Sequence, residues 1–120
     1  MINNNNSRTK LALASTTRML DQRVIDTAGL TRQALVDEVG DWSFENIVLA
    51  SVVPEKAGLI REAFSGVCPL LEISHRVKLG ITVDFPDPSS IGADRLANAA
   101  AVVAIHDAAP AIVVDFGTAV

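Results

Sequence analysis

The amino-acid sequence predicts an α/β chain, and three observations carry that prediction. Short apolar runs rich in β-branched residues alternate with stretches of helical periodicity. A strongly helix-favouring segment, Ala93 to His106, precedes a last apolar run, Ala111–Val114, which ends on an acid, Asp115. The 120 residues, 49% apolar and 20% charged, suffice for one modest core.

Taken in order, Leu11–Ala14 and Arg23–Asp26 are expected as early strands, and Ile47–Val53, the stronger β-branched run, as a central one. Thr31–Val39 reads as a helix that Thr31 starts and Gly40 ends, with Leu35 and Val39 on one face. Pro54 suits a first helical position, and Ala57, Ile60, Ala63 and Phe64 then recur at helical spacing. Leu70–Ile73 and Gly80–Val83 are short strand candidates, after which Pro86 and Pro88 impose a loop. The alanine-rich helix from Ala93 carries Leu96, Ala100 and Val103 on one stripe, and Ala111–Val114 is expected as a buried strand. There is no internal repeat, and the asparagine tetrad Asn3–Asn6 is the one low-complexity segment.

Composition excludes several function classes. The net charge of -4 and scattered basic residues argue against nucleic-acid binding. No apolar run reaches the roughly 20 residues that span a bilayer, so neither a membrane nor a secretory signal is expected. The single cysteine, Cys68, forms no internal disulfide, and a cytoplasmic location follows by default. His75 and His106 lack a second ligand at metal spacing. Trp42 and Phe44 are expected to anchor a loop to the core.

Two short strings carry the chemistry. Asp94 falls in the first turn of its helix, where free N–H groups and the helix dipole favour a carboxylate that can accept a proton from a hydroxyl. Arg95 beside it offers a planar fork for a carboxylate or phosphate. The simpler account of the same pair is a helix start that is capped and solubilised. Asp115, directly after four apolar residues, stands where open α/β sheets place ligands, with Gly117 allowing close approach and Thr118 supplying a hydroxyl. It could equally be a turn acid that satisfies local backbone donors.

Together these strings resemble the type III pantothenate kinases. The resemblance rests on Ile91-Gly92-Ala93-Asp94-Arg95-Leu96-Ala97-Asn98-Ala99 and Ile112-Val113-Val114-Asp115-Phe116-Gly117-Thr118-Ala119. The strand end Ala50-Ser51-Val52-Val53-Pro54, the turn Phe85-Pro86-Asp87-Pro88 and Asn6-Ser7-Arg8-Thr9-Lys10 add weaker matches. It implies a ribonuclease-H-like (actin-like ATPase) fold with a mixed sheet flanked by helices. It also implies transfer of the γ-phosphoryl of ATP to pantothenate, the first step of coenzyme A synthesis, with Mg2+ and a monovalent cation such as K+ or NH4+. Asp94 would be the catalytic base, and Phe85, Gly92, Ala93, Asp94 and Arg95 would contact pantothenate. Asn3, Asn4, Asn5, Asn6, Ser7, Arg8, Thr9, Lys10 and Thr118 would contact ATP, and Asp115 the monovalent cation.

The family's phosphate loop, Asp-x-Gly-Asn-Thr/Ser, aligns with Asn3-Asn4-Asn5-Asn6-Ser7, so an acid is replaced by Asn3 and a glycine by Asn5. The tetrad is then either a working nucleotide loop or a frayed polar terminus. The resemblance further implies residues 1–110 as an N-terminal domain, 111–120 as the first strand of a second one, and a homodimer as the intact protein. A non-catalytic ligand-binding or regulatory relative, and a structural half-domain, are the alternative functions. Residues 1–120 alone are expected to show no pantothenate phosphorylation in a coupled ATP assay. Turnover that Asp94→Asn abolishes would overturn that expectation.

Overall fold

The computed structural model describes residues 1–106 and 110–116. They fall into two compact units, Met1–Glu72 and the segment from Ile73 onward. Among the described residues no helix is long and apolar enough to cross a membrane.

The first unit is a five-stranded mixed sheet in the order β3-β2-β1-β4-β5. The strands are β1 (Ile2–Asn4), β2 (Arg8–Ala14), β3 (Met19–Asp26), β4 (Ile47–Ser51) and β5 (Leu70–Glu72). β1 is antiparallel to β2 and parallel to β4, β2 is antiparallel to β3, and β4 is parallel to β5. The chain therefore makes an antiparallel meander first and then crosses to the other side of β1 through α1 (Arg32–Val39). A second crossover, α2 (Pro54–Phe64), leads on to β5.

Register explains the core. Ile2 lies opposite both Leu11 and Leu49, so three apolar side chains meet on one face of the three central strands. Leu35 of α1, with Ala57, Ile60, Ala63 and Phe64 of α2, covers that face, and Leu11, Leu35, Leu49 and Ile60 are fully buried. Phe44 meets Phe64 edge to face at 6.1 Å, and both Phe44 and Trp42 pack on the core as expected. Thr31 starts α1 by accepting the Ala34 N–H at 3.1 Å. Gly40 closes it in a right-handed conformation, and a Cβ there would come within 3.1 Å of the Val36 carbonyl. Close approach, not a left-handed turn, is the reason for glycine.

The far edge of the sheet is fastened by Arg23. Its guanidinium grips both oxygens of Asp41 at 2.7 and 2.8 Å, reaches Asp21 at 3.1 Å, and donates to the Glu38 carbonyl at the end of α1. It also stacks 4.7 Å from the Trp42 ring centre, while the indole N–H donates to Asp21 at 2.9 Å.

In the second unit, a short 3-10 helix over Pro88–Ser90 leads to α3 (Ala93–Ile105). Asp87 opens the 3-10 helix by accepting the Ser89 amide at 3.0 Å and its hydroxyl at 2.6 Å. Those bonds hold the Asp87 carboxyl below the usual range.

Several sequence expectations change. Leu11–Ala14 and Arg23–Asp26 are the later parts of longer strands beginning at Arg8 and Met19. Gly80–Val83 forms no strand, and residues 110–116 have no regular structure. Ile112, Val114 and Phe116 are largely exposed. Both segments carry strand-like composition, but a strand exists only where an edge pairs with it, and among the described residues of this unit no edge does. The stripe on α3 is also shorter than its periodicity implies: Leu96 is buried, whereas Val103 is 58% exposed.

The Arg23 cluster generates a pH prediction. The indole N–H, ahead of the Gln22 amide, lowers the Asp21 pKa, and the Arg23 guanidinium lowers that of Asp41. Carboxylates depressed by folding add stability above about pH 4, and that stability is lost as pH falls through their folded values. The unfolding midpoint should therefore drop on acidification below about pH 4, and an Arg23→Met variant should show a shallower drop.

Candidate functional site

The candidate phosphate loop is the hairpin between β1 and β2. Asn3 and Asn4 are strand residues paired with Lys10 and Thr9, and the loop proper is Asn5-Asn6-Ser7. This excludes the frayed-terminus reading, because Asn4 is completely buried. Asn3 and Asn5 are partly buried, while Asn6, Ser7, Arg8 and Lys10 are exposed. Thr9 is completely buried beside Asn4.

Buried polar groups are costly unless paired, and here their pairing forms a chain. The Asn4 side-chain amide donates to Thr9 Oγ1 at 2.8 Å, and Ser51 Oγ donates to Asn4 Oδ1 at 2.7 Å. Thr9 and Thr27 share a bond at 3.0 Å, and Thr27 Oγ1 donates to the Asn5 carbonyl at 2.6 Å. A hydroxyl has one proton, so the direction of the shared bond is settled. Thr27 spends its proton on Asn5, and Thr9 must therefore donate to Thr27. The protons run one way from Ser51 through Asn4, Thr9 and Thr27 to the loop.

Backbone bonds complete the anchorage. The Thr27 N–H donates to the Ser7 carbonyl at 2.9 Å, and the Val52 N–H to the Asn4 carbonyl at 3.0 Å. The Asn5 N–H closes the hairpin on the Arg8 carbonyl at 3.1 Å. Among the described residues, the N–H groups of Asn6 and Ser7 find no acceptor. Two backbone donors at exposed positions, with Arg8 and Lys10 close in sequence, are groups of the kind that can meet an anion. Ser51 and Thr27 were missed by sequence reasoning. Ser51 stood only within a matched strand-end string, and Thr27 was marked by nothing but its place directly after a predicted strand.

The hairpin is a poor cradle for a metal. It contains no carboxylate, and among the described residues no three of His, Cys, Asp and Glu cluster to hold an ion. The buried side-chain oxygens of Asn3 and Asn5 lack hydrogen-bond partners, but they are neutral amides and do not supply the carboxylate that usually holds Mg2+.

The second unit holds the other candidates. Gly92 precedes α3 and offers no side-chain cap, so the first turn keeps unsatisfied N–H groups beside Asp94. One Asp94 oxygen accepts the Arg95 N–H at 2.9 Å; among the described residues the other has no partner. Arg95 is exposed and lines a groove of about 500 Å3 with Gly80–Val83, Ile91 and Leu96. Ala93 is buried and packs the first turn in place, and Phe85 is 53% exposed on the preceding loop. Asp115 is exposed, with Oδ2 at 3.4 Å from the Asn98 amide. Thr118, like Gly117, lies outside the described residues.

The strand order and the mixed sheet, with helical crossovers on its core face, define a ribonuclease-H-like α/β domain of the actin-like ATPase class. Comparison with known proteins gives the family. Residues 1–120 match the family model described as type III pantothenate kinase. The chain is 37% identical over 121 residues to the type III pantothenate kinase of Akkermansia muciniphila, covering 100% of this chain and 49% of that protein. It is 35% identical over 119 residues to that of Methylacidiphilum infernorum, covering 99% and 43%. With that of Moorella thermoacetica it shares 40% over 103 residues, covering 82% and 40%. The chain belongs to the type III pantothenate kinase family, and it spans less than half the length of these three relatives.

The buried chain of hydroxyls and amides generates a stability prediction. Asn4→Ala should lower unfolding stability by about 1–3 kcal/mol for each buried partner left unsatisfied, measured by urea denaturation.

Proposed function

We propose that the protein is the ATP-dependent kinase that converts pantothenate to 4'-phosphopantothenate, the first step of coenzyme A biosynthesis. The observation that carries this is Asp94 in the first turn of α3, with one carboxylate oxygen free of partners among the described residues and Arg95 opening onto the adjacent groove. Family membership supports the same reading.

In this reading the free Asp94 oxygen accepts the proton of the primary hydroxyl of pantothenate as that oxygen forms its bond to the γ-phosphorus of ATP. The bond from γ-phosphorus to the bridging oxygen breaks, and ADP leaves with the electron pair. Arg95 holds the pantothenate carboxylate, and the free N–H groups of the α3 start add donors. Gly92 and Ala93 shape the approach, and Phe85 lends an aromatic wall. Phosphoryl transfer needs positioning and charge neutralisation more than covalent help, and these groups supply both.

The β1–β2 hairpin takes the phosphates of ATP. Asn6, Ser7, Arg8 and Lys10 face solvent and act directly, while Asn4 and Thr9, both buried, act by holding the loop. Asn3 and Asn5 flank that contact. Thr118 would add a hydroxyl to the same nucleotide. The divalent cation is brought by the nucleotide, since the hairpin offers it no acid. Asp115 gives one oxygen to a monovalent cation, K+ or NH4+, and residues 111–120 begin a second domain that supplies the rest. The exposed apolar side chains of Ile112, Val114 and Phe116 support that role, because a strand of this composition is buried once its edge partner is present. The intact protein works as a cytoplasmic homodimer, without nucleic acid or membrane.

Asp94→Asn in the intact protein should lower kcat by about 10²–10⁴-fold with little change in the KM for pantothenate, in a coupled assay of ADP release. An Asp94→Asn enzyme with near wild-type kcat would remove Asp94 as the base.

A further inference from the structure

We propose that Thr27 is the positioning residue of the nucleotide hairpin, keeping the backbone amides of Asn6 and Ser7 available to phosphate oxygens. The inference rests on the reading of that hairpin as the ATP site. Thr27 is itself only 3% exposed, yet it bonds both ends of the loop. Its hydroxyl donates to the Asn5 carbonyl at 2.6 Å and its N–H to the Ser7 carbonyl at 2.9 Å. A peptide unit is planar with its C=O and N–H pointing oppositely. Pulling the Asn5 carbonyl inward therefore turns the Asn6 N–H away from the core. The Ser7 carbonyl, held the same way, fixes the Ser7–Arg8 peptide, so the Asn6–Ser7 peptide that carries the second donor is clamped between two anchored ones.

Why a threonine should be needed follows from the residues in the loop. Asn5 and Asn6 have short polar side chains that compete for nearby backbone groups, and such loops populate several turn conformations when nothing selects one. Thr27 selects one from outside the loop. Its hydroxyl is in turn oriented by the one-way chain from Ser51 through Asn4 and Thr9, whose bonds are 2.7, 2.8 and 3.0 Å. Because each hydroxyl in the chain both accepts and donates, the bonds polarise one another toward the Asn5 carbonyl. The end of β4 is thereby coupled to the loop tip across three strands and the 3-10 turn at Thr27–Gly29.

The test uses the intact protein, with inorganic tripolyphosphate and ATP as probes and the amide ¹H–¹⁵N resonances of Asn6 and Ser7 as readout. In the wild type both resonances should shift and saturate. Thr27→Val, which keeps the shape and loses the hydroxyl, should weaken the tripolyphosphate Kd by about tenfold or more, while Thr27→Ser should stay within about threefold of wild type. A merely structural Thr27 would lower the unfolding midpoint of Thr27→Val and leave Kd in place. Thr27→Val binding within about twofold of wild type would therefore overturn the proposal while leaving the hairpin as the ATP site. A wild type whose Asn6 and Ser7 resonances do not respond to either probe would overturn both. Should Thr27→Val not fold, Thr9→Val breaks the chain one bond earlier, and unchanged tripolyphosphate affinity there would overturn the proposal equally.

Discussion

A fully buried side-chain amide, that of Asn4, is the junction on which the first unit depends. It lies on the central strand of the sheet, between an antiparallel neighbour and a parallel one, and bonds to a hydroxyl on each. An unpaired amide at that depth would be strongly unfavourable, so the strand pairing and the side-chain pairing must form together. The register that brings Ile2 against Leu11 and Leu49 is the same register that brings Asn4 against Thr9 and Ser51. Apolar burial and polar satisfaction thus select one alignment, and a slip of one residue would lose both.

This junction also explains where chemistry can occur. Below it, the face of the sheet is apolar and covered by α1 and α2. Above it, the hairpin emerges with two backbone donors that find no acceptor among the described residues and with flanking cations, anchored but not buried. In the second unit a different device serves a similar end. Gly92 leaves the α3 start uncapped by any side chain, and the unsatisfied N–H groups there support Asp94 and its neighbours. The first unit exposes backbone donors beside Arg8, and the second a carboxylate beside a guanidinium.

Much of the architecture was legible in the sequence, for identifiable reasons. Ile47–Ser51 and Pro54–Phe64 were readable because β-branched density and helical spacing are local signals that the tertiary context here reinforces. Thr31 was readable as a cap because its role is completed three residues away. Gly80–Val83 and Ala111–Val114 misled because the same composition is extended loop or strand depending on a partner edge, which sequence does not display. The asparagine tetrad was ambiguous because asparagine has weak strand propensity, and only partners at Thr9 and Ser51 turn Asn4 into a core residue. The candidate site divided in the same way. Asp94 and Arg95 were visible as a helix-start pair, whereas Thr27 and Ser51 act through contacts 18 and 47 residues away in sequence.

The class of the domain, its family resemblance and the acid at the start of α3 are all readable from the residues in order, since they depend on periodicity, turn chemistry and short contiguous strings. The anchoring of the polar hairpin, the direction of its hydrogen bonds and the exposure of Asn6, Ser7, Arg8 and Lys10 exist only in the folded arrangement. The physical reason is that local propensity acts over one turn or one strand. The worth of a buried polar group, by contrast, is set wholly by the distant partner that completes its hydrogen bond.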